Sequence, residues 1–560
     1  MSRRTRMTLS LFSCLGFACN AAHSPTQPRP DLVVVNANIV TMNPRQPSAE
    51  AMAIAGDRIA WVGGADEARR HYPGSVTLDL AGATVIPGII DAHTHLLSLG
   101  ESLIKISLKD LPTEDAIVER IRKEAATLPP GQWILGWGWD EGKWAANYPT
   151  NAALSAATPD HPAFLVGLHS FAGWANAKAL EIAGVTQETK DPANGQILRD
   201  ARTGKPTGIL TNHAQDLVKR HIPQLTLEQM KRAIELAAVE CVRHGLTSVH
   251  EAQVSRSMIR AFRELVGESR LPVRVSVMLD GADRALIDEW FERGPEIDPR
   301  HRLTIRSVKL FADGALGSRG AALLEPYSDQ SATRGIFTTP GDVVYDITRR
   351  ALAKGFQVAT HAIGDAANRQ VLDAYERALR ETQRKDVRLR VEHAQVVAPA
   401  DVPRFAQLGV IASMQPTHCT SDMPWAEQRV GPVRIQGAYA WRRMLDAGAH
   451  LPLSSDFPGE TLDPFHGIYA AITRQSPEGA PAGGWRPEER LTLHEAMRGY
   501  TQEAAYAEHE ERDKGSLEPG KLADFLVLSA DITKSSPREI LGLRAQRTYV
   551  GGKLVFQAPP

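Results

Sequence analysis

The stretch VIPGIIDAHTHL, residues 85–96, decides how the rest of the chain is read. A run of apolar residues ends in His93-Thr94-His95, and the period of two in an extended strand points both imidazoles the same way. At the C-terminal mouth of a parallel barrel strand, such a pair is a two-toothed metal clamp. A lone His-x-His is weak, because histidine pairs occur in loops by chance. Its place directly after a strand, behind Pro87-Gly88 and Asp91, strengthens it.

Working outward from that stretch, short apolar runs alternate with amphipathic ones. Candidate strands fall at 84–90, 247–250, 273–278, 304–310, 357–360, 389–392, 410–413 and 451–454, with helical patterns between them, for example 227–244 and 366–379. Eight strand–helix units argue for an α/β fold built on a closed (β/α)8 TIM-like barrel, spanning 85–505. A long gap separates the first strand from the second. We read an insertion domain there, at about 97–240, rich in Trp (Trp133, Trp137, Trp139, Trp144, Trp174) and taking the apolar runs at 133–139 and 163–168. Later strand ends carry Lys309, His361, His393 and Asp456. Singly, each has a plain structural reading: a strand-end His is usually capped by a carbonyl, and a strand-end Asp often caps the next helix. Five strand ends that each bring a ligand type point instead to a shared site.

On either side of the barrel the pattern changes. Runs at 31–42, 51–62 and 75–85, and again at 523–528 and 548–556, alternate with period two and break at Gly-Asp or Gly-Gly, as antiparallel hairpins do. Strands from both ends can pair, so 31–84 and 506–560 are expected to form one small β-sandwich. Residues 1–30 read as a signal peptide and tether: Arg3, Arg4 and Arg6 precede a short apolar segment too brief to span a bilayer. Export to the periplasm or medium follows, with Cys19 a minority candidate for lipid attachment. Removal of the leader leaves Cys241 and Cys419, too few for a disulfide scaffold. With 64 Lys+Arg against 65 Asp+Glu in 560 residues, there is no broad electrostatic case for nucleic acid or an anionic membrane. No transmembrane span is expected in the mature chain, and a homodimer is compatible with this reading.

Longer motifs carry a resemblance. They are PGIIDAHTHL (87–96), GWGWD (136–140), GLTSVHEA (245–252), VKLFADGALGSRGAAL (308–323), THAIGDAANRQVLDAY (360–375), RVEHAQ (390–395), QPTHCTSDMPWAEQR (415–429), SSDFP (454–458) and GSLEPGKLADFLVL (515–528). In these the chain resembles the amidohydrolase superfamily, specifically its N-substituted formamide deformylase-like branch, over nearly its whole length after the leader. The resemblance implies a metal-bearing barrel joined to a β-sandwich built from both termini. It implies that His93 and His95 bind a first divalent ion, Zn2+ by the preference of neutral imidazoles, that His361 and His393 bind a second, and that Asp456 sits beside the first. Lys309 would be carbamylated and bridge the two; as an ammonium ion it has no acceptor and cannot bind metal. If Lys309 is unmodified, the alternative is a salt bridge to Asp313 and a single ion.

The chemistry implied is hydrolysis of a non-peptide amide C–N bond, of the N-acyl or N-formyl amine class, by a metal-bound hydroxide, with Asp456 as base and then acid. A carbamate, urea, lactam or ester substrate fits the same parts, and a non-catalytic exported binding protein is the alternative of another class. Glu392 and Arg390, which flank His393 by alternation, receive no catalytic role. For a small-molecule substrate, Trp137 and Trp139 are candidate pocket walls or core residues. Asp313, Gln415, His418 and Asp422 are further candidates, His418 with a loop-ordering alternative. The family commonly has a Gly-His pair five residues before the Asn of its WxN segment. Here HSFAGWAN puts Phe171 at that place and His169 two residues earlier, which suggests a more apolar pocket.

Overall fold

The computed structural model describes residues 30–109, 111–139, 148–167, 172–192 and 195–559. The leader with Cys19, together with Phe171, His169, Asp140 and Trp144, lies outside these residues.

Seven parallel strands form the central sheet, in the order Ile89–Thr94, Leu246–Val254, Arg274–Asp280, Leu303–Phe311, Gln357–Ala362, Arg390–His393 and Ile411–Ser413. Helices such as Arg256–Gly267, Gly341–Ala353 and Asp365–Thr382 follow them and bury apolar faces against the sheet. This is a mixed α/β fold with a nearly closed parallel barrel.

The eighth place differs from expectation. Residues 451–454 do not form a regular strand, yet they close the gap. Leu453 bridges Met414 in parallel, Met414 N–H donates to the Pro452 carbonyl at 3.1 Å, and Ala92 N–H reaches the Leu453 carbonyl at 3.4 Å. Pro452 has no N–H to give, and the N–H of Leu453 goes to the Gly499 carbonyl at 3.0 Å, so a full ladder cannot form.

The opening stretch also needs correcting. The expected strand 84–90 is two strands that serve different sheets. Thr84–Pro87 pairs with Phe525–Leu528 and Asn38–Val40 in a six-stranded sheet that draws on both ends of the chain. Ile89–Thr94 belongs to the barrel. A second, four-stranded sheet contains Leu32–Val35, Ala51–Ala55, Arg58–Gly63 and Thr77–Asp79. Val34, Met52 and Ile54 from it pack with Ile39, Val85, Phe525 and Tyr549 from the first, which makes a two-layer core.

Gly88 is the junction. Its N–H bonds the Asp524 carbonyl at 2.9 Å, and a Cβ placed there would stand 2.2 Å from Thr247 Oγ1 and 2.6 Å from Thr247 Cγ2. Thr is stiff at χ1, so it cannot step aside freely. Gly88→Ala is therefore expected to cost roughly 1–3 kcal/mol through overpacking. The measurement is the urea midpoint of the full chain, and an unchanged midpoint would refute the fit described.

Between the first two barrel strands the chain builds a six-stranded sheet of its own, in the order Gly195–Arg199, Pro206–Asn212, Ala172–Ala175, Ala163–Gly167, Ile134–Trp139 and Ile106–Ser107. The helices that flank this sheet in sequence, Leu96–Ile104 and Leu227–Arg243, pack on each other and share the barrel core through Leu99, Ile234 and Ala238. Among the described residues no helix is long and apolar enough to cross a membrane. Cys241 and Cys419 are buried and free.

Candidate metal centre

Parallel barrel strands all end on the same rim, so residues far apart in sequence meet there. His93, near the end of Ile89–Thr94, is buried. Its Nδ1 lies 2.5 Å from Glu392 Oε2, and its Nε2 lies 3.3 Å from Lys309 Nζ and 3.9 Å from Asp456 Oδ1. His95, just past the strand, places Nε2 3.2 Å from the same Asp456 oxygen. From Arg390–His393 comes His393, whose ring centre is 5.1 Å from that of His93 and 4.6 Å from that of His361. One donor atom each from His93, His393 and Asp456 lie within 4.8 Å of one another, so these three could hold a metal ion.

The rim backbone is unusual where the site needs it. His393 has φ 74°, Ala394 φ 41° and Asp456 φ 60°, all in the left-handed region that side chains other than Gly rarely adopt. Such strain persists only where the surroundings hold it. At Asp456 they do: its N–H donates to the His93 carbonyl at 3.0 Å. Next to it, the buried Asp91 carboxylate accepts from the Ser455 N–H at 3.1 Å and from Ser455 Oγ at 2.6 Å. Asp91 thus clamps the first strand to the closing segment.

Protonation suits ligation. Burial, with Lys309 beside it, pushes His93 down to about 4, and burial with His361 nearby holds His393 well below its ordinary value. Both are neutral at pH 7, the form that offers a lone pair. Burial would raise Asp456, but the surrounding imidazoles and the hydrogen bond from His95 hold it well below the usual carboxylate range. His95 is lifted by that same bond, against burial. Burial pushes the Lys309 ammonium down to about 8.

A family model described as "Amidohydrolase family" matches residues 76–556. The chain belongs to this family. As an amidohydrolase it is a metal-dependent hydrolase acting on carbon–nitrogen bonds other than peptide bonds. It is 32% identical to the N-substituted formamide deformylase of Arthrobacter pascens, over 94% of this chain and 98% of that one. It is 31% identical to the putative amidohydrolase YtcJ of Bacillus subtilis, over 93% and 98% respectively. Among solved structures, an uncharacterized metal-dependent hydrolase from Pyrococcus furiosus superposes with TM-score 0.76 at 31% identity, covering 90% of this chain and 99% of that one.

The other site residues expected of this amidohydrolase fall in different surroundings. His361 turns Nε2 to Asp313 Oδ1 at 3.3 Å. Asp313 does not pair with Lys309. Its carboxylate accepts from the backbone N–H groups of Ala322, Ile363 and Gly364 at 2.8–3.0 Å, pinning the 312–322 loop to the His361 strand. Gln415 accepts from His393 Nδ1 at 2.8 Å while its amide nitrogen donates to Ser454 Oγ at 2.9 Å, so it fixes the orientation of the His393 ring from behind. His418 does reach the centre: its Nε2 is 3.7 Å from Asp456 Oδ2 and its ring stacks on His393 at 5.8 Å. Asp422 is engaged by Tyr439 Oη at 2.6 Å and Gln395 at 2.9 Å. Trp139 is core: fully buried against Trp174, it donates Nε1–H to the Leu165 carbonyl at 2.9 Å. Trp137 is half-buried under Lys109. Glu392, given no role from sequence, touches His93 directly. Strand alternation turns Glu392 away from His393, but the left-handed backbone at His393 lets both consecutive side chains face the site. Two charged residues, Arg390 and Glu392, in a strand of the barrel core were the available signal.

Proposed function

We propose that this amidohydrolase cleaves the C–N bond of an N-acyl or N-formyl amine at the rim formed by His93, His393 and Asp456. The observation that carries the reading is the placement of one strongly acidic carboxylate, Asp456, among neutral buried imidazoles. The relation to an N-substituted formamide deformylase along nearly the full chain supports the substrate class.

The donor set fits a divalent ion, and imidazole with carboxylate suits Zn2+. His93, His393 and Asp456 would hold it, with His95, His361 and a carbamylated Lys309 as further ligands for one or two ions. Such an ion, when bound, supplies Lewis acidity that acidifies a water and polarises a carbonyl. The residues supply orientation and proton transfer. Gln415 and Glu392 each take the Nδ1–H of a histidine, and so turn Nε2 of His393 and His93 to the centre. Asp456 is ionised at neutral pH, so its Oδ2 can accept the proton of the attacking water. The same oxygen then returns it to the departing amine, which would otherwise leave as an anion. His418 stands beside that oxygen, with Nε2 3.7 Å from Oδ2.

The test is a panel of N-formyl and N-acyl amines incubated with purified full-length protein, with amine release and metal content measured together. Amine release that disappears on chelation and returns with added metal is the expected result. Metal-replete protein that releases no amine, yet turns over a urea, lactam, carbamate or ester panel, would overturn the substrate class.

A further inference from the structure

His93 stands at the end of a buried file of ionic side chains that runs from the rim to the C-terminal segment. Glu392 bonds His93 through Oε2, and Arg390 grips both carboxylate oxygens, Nε to Oε1 at 2.6 Å and Nη2 to Oε2 at 3.1 Å. The same guanidinium donates to the Ala92 carbonyl at 2.6 Å, to Ser413 Oγ at 3.1 Å and to His250 Nδ1 at 2.9 Å. Beyond His250, its Nε2 faces Glu508 Oε1 at 3.5 Å. Glu508 in turn lies 2.6 Å from Lys514 Nζ, which also meets Glu510 at 2.7 Å and Ser248 Oγ at 3.1 Å. All of these residues are buried.

Hydrogen-bond chemistry fixes the protons along this file. A guanidinium only donates, so His250 Nδ1 must accept, and its proton sits on Nε2, toward Glu508. A carboxylate gripped by Arg only accepts, so His93 Nδ1 must carry a proton. That leaves the Nε2 lone pair of His93 on the side of Lys309 and Asp456. Charge alternates from Glu392 to Arg390 and from Glu508 to Lys514, so each buried ion has an opposite partner. Apolar residues would fill the same space more cheaply. What an ionic file adds is a single orientation for the ring at its end.

We propose that Glu392 and Arg390 are positioning residues that hold His93 in its Nδ1–H tautomer with Nε2 aimed at the metal centre, and that His250, Glu508 and Lys514 buttress them from the C-terminal segment. This rests on the metal-centre reading above. It assigns the 508–514 segment, which lies outside the rim, a part in metal affinity.

Glu392→Asp keeps the charge beside Arg390 but draws the oxygen away from His93; Glu392→Gln keeps the length and loses the charge. Co2+ affinity by chelator competition and the visible absorption of the Co2+ form are measured on full-length protein, with circular dichroism to verify folding. Both variants are expected to bind Co2+ roughly 10–100-fold more weakly and with an altered spectrum, the usual consequence of losing a ligand's supporting carboxylate. Glu508→Gln is expected to give a smaller loss in the same direction, and an unchanged affinity there would remove the outer file from the proposal. A folded Glu392→Asp protein with wild-type affinity and spectrum overturns it; should that variant fail to fold, Glu392→Gln is judged by the same criterion. Wild-type protein that binds neither Co2+ nor Zn2+ overturns the metal-centre reading itself, whereas tight wild-type binding with indifferent variants overturns only the positioning role.

Discussion

Asp456→Asn is expected to stop turnover while the barrel stays folded and the surrounding histidines stay in place. The carboxylate has one oxygen 3.2 Å from His95 and the other 3.7 Å from His418, so an amide of the same shape can occupy the position without a void. It can still offer an oxygen, but it cannot take up a proton. A positioned general acid–base contributes about 10^2–10^4-fold, and kcat should fall by that factor. Metal content must be read on the same sample, because Asp456 shares the centre with His93 and His393. Full metal with a collapsed kcat isolates the proton-transfer role, whereas full metal with near-normal kcat would remove it. The wild-type pH profile carries the same logic. Only the ionised carboxylate accepts a proton, and Asp456 is held well below its ordinary range. Activity should therefore persist on the acid side past the point where an ordinary aspartate protonates, with no limb from this group between pH 5 and 8.

Why so much of this site is legible in the residues follows from the barrel. His93, Lys309, His361, His393 and Asp456 each close a separate run, and a parallel barrel converts that order into one rim. Local geometry was harder to read. Alternation is sound for an ideal strand and so hid Glu392, because a φ of 74° at His393 is a tertiary outcome with no sequence mark. The stretch 84–90 looks like one strand because at Pro87-Gly88 the chain passes from one sheet to another without a break in its hydrophobicity. Trp139 reads equally well as pocket or core from composition. Only the Leu165 carbonyl that takes its N–H decides between them. Gln415 and Asp313 read from the sequence as substrate contacts, yet their polar atoms are taken up by His393 and by backbone N–H groups. Side chains that hold ligands and side chains that hold substrate share a chemistry, and spacing alone cannot separate them.

If Lys309 carries the proposed carbamate, Lys309→Met should lose both metal and activity, with kcat/KM falling by roughly 10^3-fold or more, since losing a bridging anion would forfeit several kcal/mol of charge stabilisation at about 1.4 kcal/mol per tenfold. Lys309 is buried at the inner edge of the rim, with Nζ 3.3 Å from His93 Nε2, and among the described residues no carboxylate forms an ion pair with it. A structural lysine so placed would be costly to bury as a cation. Burial brings its ammonium down to about 8, so a sizeable neutral fraction exists near neutral pH. Only that neutral amine can attack carbon dioxide to form a carbamate, the step that would turn a donor into an anionic ligand. The sign of the pH effect is therefore set: with metal supplied to stripped protein and dissolved carbon dioxide held at one concentration across the series, the rate of activation should rise as pH increases through about 8 and then level off. An activation rate that falls across the same range would contradict it. Lys309→Ala gives a separate check, because the space it opens can admit a short carboxylate. Partial recovery of metal content and turnover with formate or acetate is expected from Lys309→Ala and not from Lys309→Met, whose side chain fills the space. Full metal and normal turnover in Lys309→Met would show that the centre works without an anion at this position, and would leave Lys309 as a buried neighbour of His93.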